Sequence, residues 1–151
     1  MTNSLVVFFS KFGNTKIVAE TIAETLEPAG SICILNAEEI SGTDLNGYDL
    51  VLMGTPTHKM NLPTVVKPIF DELQKGCLKG IPVAAFDTSY KMSPWLSRFT
   101  AAKKLNRKLR KLGGKRIVPP ETFFVMEREG PLYEGEIERA KGWANLILEK
   151  R

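Results

Sequence analysis

Three short polar runs of this chain follow apolar stretches, and the first carries side chains able to hold an anion. They are Ser10-Lys11-Phe12-Gly13-Asn14-Thr15, Thr55-Pro56-Thr57-His58 and Asp87-Thr88-Ser89-Tyr90. The first sets Ser10, Asn14 and Thr15 as side-chain donors around Gly13, where the backbone can approach a ligand closely. It follows the apolar run Leu5-Val6-Val7-Phe8-Phe9 and precedes Ile17, Val18, Ala19, Ile22, Ala23 and Leu26, spaced as one helix face. Strand, polar loop and helix N-terminus in that order form a phosphate cradle, because first-turn N–H groups lack intrahelical partners and the helix dipole favours an anion. The same run alone also reads as an ordinary capped turn. It has neither the spacing of a Walker loop nor that of a Rossmann glycine fingerprint. No side chain is nominated as a catalytic residue. A single histidine and two scattered cysteines supply neither a metal-ligand set nor a disulfide framework.

The elements that must position these runs alternate along the chain. A second strand is expected over Ser31–Leu35 after the Pro28-Ala29-Gly30 helix stop, and a short helical turn around Ala37–Ile40. Tyr48–Gly54 reads as a third strand, followed by a Pro-rich loop over Thr55–Pro63. A helix over Thr64–Lys75 leads to a fourth strand, Ile81–Phe86, and a polar loop, Asp87–Pro94. Trp95, Phe99, Ala102, Leu105, Leu109 and Leu112 then mark one long amphipathic helix with Trp95 on its core face. A fifth strand region, Lys115–Val118 with Thr122–Met126, is broken by Pro119-Pro120, and Glu134–Glu149 closes the chain as a helix packed through Trp143. Near-continuous apolar strands alternating with helices predict one α/β domain over residues 1–151: a three-layer, doubly wound, five-stranded parallel sheet. In the strand order 2-1-3-4-5, the loops after strands one, three and four converge at one sheet edge, where such folds bind ligands. That convergence is the main reason to expect a single site.

Composition adds limits. The 151 residues are 43% hydrophobic and 25% charged, as in ordinary soluble domains, and no apolar run is long enough to span a bilayer. Without a signal-peptide pattern, and with only Cys33 and Cys77, which make no disulfide framework, a cytoplasmic location is expected. Cys33 reads as a small core residue and Cys77 as partly exposed. Charge is uneven. Ten of the 21 basic residues fall between Thr88 and Pro120, where there is no Asp or Glu, leaving 11 basic against 17 acidic groups elsewhere. The cations of Lys103–Lys111 are either a solvated face that complements the helix dipole or a docking surface for an acidic partner. Interleaved aromatics are missing, which argues against nucleic acid.

The Ser10–Thr15 loop resembles the phosphate loop of flavodoxins, and Tyr48-Asp49 leading into Leu50-Val51-Leu52-Met53-Gly54-Thr55-Pro56-Thr57-His58 is similar to their third strand and flavin loop. The resemblance spans essentially the whole chain and implies a flavodoxin-like fold with non-covalent FMN. It implies that the phosphate sits in Ser10, Lys11, Phe12, Gly13, Asn14 and Thr15. Thr55, Pro56, Thr57 and His58 would meet the ribityl chain and one flavin face. Asp87, Thr88, Ser89 and Tyr90 would meet the pyrimidine edge and the other face, with Tyr90 stacking and Trp95 a second aromatic. Phe12 stands where many relatives have a hydroxyl, Lys11 adds a cation, and His58, Lys59 and Met60 occupy a region where an aromatic often covers the flavin. A cation such as Lys59 beside the flavin would raise its potential. The implied function is electron transfer between redox proteins, by a monomer or weak dimer with no membrane span and no nucleic-acid partner. An FMN-dependent oxidoreductase acting on a quinone or other small substrate is the alternative. A third reading is a flavin-free module that binds a partner through its basic helix.

Overall fold

A strand points successive side chains to opposite faces, so the apolar runs around Leu5, Leu50 and Val83 need cover on both sides. A computed structural model provides it. The structure describes residues 2–40, 45–58 and 61–151. Lys59 and Met60, singled out above, lie outside the described residues. The elements are β1 (Thr2–Phe8), α1 (Asn14–Leu26), β2 (Gly30–Asn36), β3 (Leu50–Pro56), α2 (Val66–Asp71), β4 (Pro82–Tyr90), α3 (Ala101–Lys111), β5 (Lys115–Arg116), β6 (Glu121–Val125) and α4 (Glu136–Lys150), with short 3-10 turns between them.

The sheet runs β2-β1-β3-β4-β5, every pairing parallel, and β6 also pairs with β4. The expected order 2-1-3-4-5 therefore holds. The fifth strand is two pieces: β5 lies beside Pro82-Val83 and β6 beside Phe86–Tyr90, with Pro119-Pro120 between them unable to donate to a ladder. Leu5, Val7, Val51, Met53, Val83 and Ala85 pack with α2 and α3 on one face. Val6, Phe8, Leu50, Leu52, Ala84 and Phe86 pack with α1 and α4 on the other. Phe86, Phe123 and Trp143 meet edge to face with ring centroids 5.8–6.4 Å apart, so Trp143 is core as expected.

Several boundaries differ from expectation. Thr55 and Pro56 are the last residues of β3, and Asp87–Tyr90 extend β4 instead of opening a loop. Their polar character is compatible with a strand because β4 is laddered on both sides, to β3 through Thr88 and to β6 through Tyr90. Instead of spanning Thr64–Lys75, α2 covers six residues, with Pro68 in its first turn, where a missing N–H costs nothing. The long helix from Trp95 is interrupted. Leu96–Phe99 form a 3-10 turn, Thr100 is extended, and α3 starts at Ala101. Trp95 is 62% exposed against Phe99, with ring centroids 5.5 Å apart, and not in the core. The interruption has a tertiary cause. The Ala101 N–H donates to Thr57 Oγ1 (2.9 Å) and the Ala102 N–H to Asp87 Oδ2 (3.2 Å), so α3 is capped from the sheet edge. Among the described residues, no helix is long and apolar enough to cross a membrane.

Candidate functional site

At the carboxyl ends of β1, β3 and β4 a cavity of about 680 Å³ opens. That size is typical of small-molecule and cofactor sites. The loop between β1 and α1 makes one end. Gly13 is the N-cap of α1 with φ 96°, a left-handed conformation that suits glycine, and no side chain caps the helix. Its N–H donates to Ser10 Oγ at 3.0 Å, which folds the loop back on itself. The hydroxyls of Ser10 and Thr15 and the side chain of Asn14 line the cavity, and Thr15 Oγ1 lies 2.7 Å from Thr88 Oγ1, tying the loop to β4. Pro56, Thr57 and His58 form a second wall. His58 is held by reciprocal backbone bonds with Asn61, of 2.8 and 2.9 Å. Thr88, Ser89 and Tyr90 form a third, with the Tyr90 ring half exposed.

Of the residues nominated from the sequence, Ser10, Lys11, Phe12, Asn14, Thr15, Pro56, Thr57, His58, Thr88, Ser89 and Tyr90 all line this one cavity. Gly13 shapes the loop without lining it. Thr55 and Asp87 are fully buried beneath. Trp95, the second aromatic suggested, does not line it. Five lining residues were not nominated: Asn61, Leu62, Thr64, Val125 and Arg128. Arg128 belongs to the turn after β6, which touches α1 where the Asn14 amide donates to the Glu129 carbonyl at 3.2 Å. The signal for it was available. In the order 2-1-3-4-5, the last strand ends at the same sheet edge as the other three.

The cavity is positive. Lys11 and Arg128 both approach the Phe12 ring, 5.4 and 5.8 Å from its centroid. Partial burial pushes the His58 pKa down, and repulsion from Lys11 and Arg128 adds to this, so the imidazole is neutral at physiological pH. Beneath the floor, Asp87 is the opposite case. Burial lifts its carboxyl to about 6, although the nearby Thr122 hydroxyl and hydrogen bonds from Thr57 and the first N–H groups of α3 pull the other way. Thr57 Oγ1 donates to Asp87 Oδ2 while accepting from Ala101, and Asp87 Oδ1 has no hydrogen-bond partner among the described residues. Asp87 thus supports the Thr57 wall and the start of α3 without entering the cavity.

A model of the flavodoxin domain family matches residues 5–122. The chain belongs to the flavodoxin family. A flavodoxin from Maridesulfovibrio salexigens is 37% identical over 91 residues, covering 57% of this chain and 62% of that flavodoxin. An NAD(P)H dehydrogenase (quinone) from Gluconacetobacter diazotrophicus is 26% identical over 114 residues, covering 59% of this chain and 57% of that protein. The chain therefore spans about three fifths of the length of these two relatives. The crystal structure of oxidised flavodoxin 2 from Bacillus cereus superimposes with a TM-score of 0.80 at 21% identity, over 99% of both chains, which shows the shared fold. Flavodoxins bind FMN. The donor set of this cavity fits that group: N–H groups of the α1 first turn, hydroxyls and two cations suit a phosphate, and the rings of Tyr90, Phe12 and His58 suit a planar partner.

Proposed function

We propose that this flavodoxin binds FMN in the cavity and serves as a single-domain, cytoplasmic electron carrier between redox proteins. The supporting observation is that one cavity joins a phosphate-type cradle at α1 to walls from the ends of β3, β4 and β6, with the His58 and Tyr90 rings among them. When bound, FMN supplies one- and two-electron chemistry. The protein's task is to hold it and set its surroundings. Ser10, Asn14, Thr15 and the first-turn N–H groups would hold the phosphate, with Lys11 and Arg128 adding charge. Pro56, Thr57 and His58 would bound one ring face and Ser89 with Tyr90 the other. Neutral His58 keeps a further cation away from the ring system at neutral pH. Cys33 and Cys77 are both unpaired, in keeping with a reducing compartment.

The test is to titrate the purified apoprotein with FMN, following absorbance and flavin fluorescence, then to titrate reductively. Saturable binding, weakened in S10A/T15A, is expected; a chain that binds no FMN overturns the reading. The second reading, an FMN-dependent quinone reductase, is favoured by the similarity to the G. diazotrophicus protein. Rapid NAD(P)H-dependent quinone turnover by the isolated holoprotein would select it over the carrier.

A further inference from the structure

Beside the cofactor cavity, on the face covered by α2 and α3, lies a second concavity of about 790 Å³. Positions 104, 107, 108 and 111 of α3 follow at three- and four-residue steps, so Lys104, Arg107, Lys108 and Lys111 form one stripe along its wall. Lys67 from α2 and Lys75 face them, and Asp71 is the one acidic residue among the lining. Asp71 pairs with Lys108. The other lining charges leave a large positive excess. Burial lowers the pKa values of Lys104 and Lys108, and repulsion from Arg107 and Lys67, and from Lys111 and Lys67, lowers them further. The groove floor is apolar, made by Phe70, Leu73 and Leu112. Asn61 and Leu62 line both this groove and the cofactor cavity, so the two concavities share a wall.

We infer that the α2/α3 groove is the docking site for an acidic segment of a redox-partner protein, anchored by an apolar side chain between Phe70 and Leu112 with its carboxylates facing Lys67, Arg107 and Lys111. Charge complementarity selects the occupant. Clustered cations with almost no local acid steer an anionic partner and repel a basic one. The apolar floor in a concave setting favours a side-chain anchor. Nucleic acid would call for exposed aromatic stacking surfaces, which the lining lacks, and a membrane surface would be met by a convex apolar face. The shared wall would bring the docked segment to the rim of the cofactor cavity, the distance-limiting requirement for electron transfer. The inference rests on the carrier reading for its purpose, but the groove itself does not depend on FMN.

The experiment uses a fluorescein-labelled synthetic peptide rich in Glu with spaced Leu and one Phe, titrated with apoprotein and with FMN-treated protein and followed by anisotropy. Amide shifts in labelled protein map the site. Binding is expected to weaken steeply with salt, to perturb α2 and α3, and to fall at least tenfold in K67E/R107E/K111E. The charge-removed K67Q/R107Q/K111Q should fall between the two, which guards against a folding defect in the reversed variant. Matched peptides with Lys for Glu, or Ser for the Leu and Phe residues, should bind at least tenfold more weakly. Equal affinity in wild type and variants, shifts that map elsewhere, or tighter binding of duplex DNA or of phosphatidylglycerol vesicles would each overturn the proposal. FMN titrations of the same samples separate the two readings. Peptide binding without FMN binding keeps the groove and removes the carrier; FMN binding without peptide binding does the reverse.

Discussion

Asp87→Asn tests the junction beneath the cofactor cavity. The native carboxyl is fully buried and titrates at about 6, against about 3.9 for an unperturbed Asp. Between those values the folded protein keeps a proton that the unfolded chain has released, so stability falls as pH rises through the window. Below it both states are protonated, and above it both are ionised, so the contribution is flat on either side. The whole window is worth about 3 kcal/mol, and the part between pH 4.5 and pH 7.5 about 2 kcal/mol. Asn keeps an oxygen to accept from Thr57 and Ala102 but buries an amide donor where Oδ1 has no partner, a pH-independent cost of about 1–3 kcal/mol. The quantity to measure is therefore the stability of wild type minus that of D87N.

Urea unfolding of the two apoproteins at a series of pH values gives that difference, and every other titrating group cancels to first order. Wild type should lose about 2 kcal/mol relative to D87N from pH 4.5 to pH 7.5. With a slope near 2 kcal/mol/M this moves the separation of the midpoints by about 1 M. A separation that stays constant with pH refutes the reasoning, because it would mean that Asp87 ionises as it does in the unfolded chain. A carbon-13 titration of the Asp87 carboxyl checks the same point directly.

Four further outcomes follow from the same structure. K11Q should raise the pKa of His58, followed by NMR as the only histidine in the sequence. K11Q and R128Q should each weaken FMN binding about fivefold, equivalent to about 1 kcal/mol, with a shallower salt dependence in a fluorescence titration. Gly54→Ala would place a methyl 2.1 Å from the buried Phe86 ring, so a loss of about 3 kcal/mol is expected by denaturant unfolding, with partial recovery in G54A/F86L. Arg139 donates to Glu136 at 2.6 and 3.0 Å, to Glu121 at 2.8 Å and to the Thr122 carbonyl, while the Phe124 N–H bonds Glu136 at 2.7 Å. Burial of Glu136 opposes ionisation, but these bonds outweigh it and lower its pKa, so its contribution is full above the ordinary carboxyl range and lost on acidification. R139M should cost about 2 kcal/mol at pH 7 and less near pH 3, read from the same urea curves.

What the sequence disclosed and what it hid divide along a physical line. Apolar runs and helical stripes report which faces are buried, and these mark the strands, the helices and the two cores through local pattern alone, whereas the order 2-1-3-4-5 accords with the flavodoxin resemblance. The cavity walls were legible for the same reason. Ser10–Thr15 lies next to a strong strand and a strong helix, so its place at the sheet edge needed no long-range contact. The misplaced features depend on contacts between distant residues. Asp87–Tyr90 looks like a loop by composition, yet the ladders to β3 and β6 make it strand. The apolar spacing from Trp95 continues smoothly into α3, and nothing local to Thr100 marks the break, because the caps on Ala101 and Ala102 come from Thr57 and Asp87, 44 and 15 residues away. Arg128 was overlooked for the converse reason. Its neighbours carry no periodic signal, and only the strand order says that the turn after β6 must meet the N-terminus of α1. The buried carboxyl therefore has a structural meaning that its residue type alone did not convey. Asp87 accepts from both Thr57 and the Ala102 N–H while Thr57 accepts from Ala101, so these two side chains together tie the start of the basic helix to the wall of the cofactor cavity.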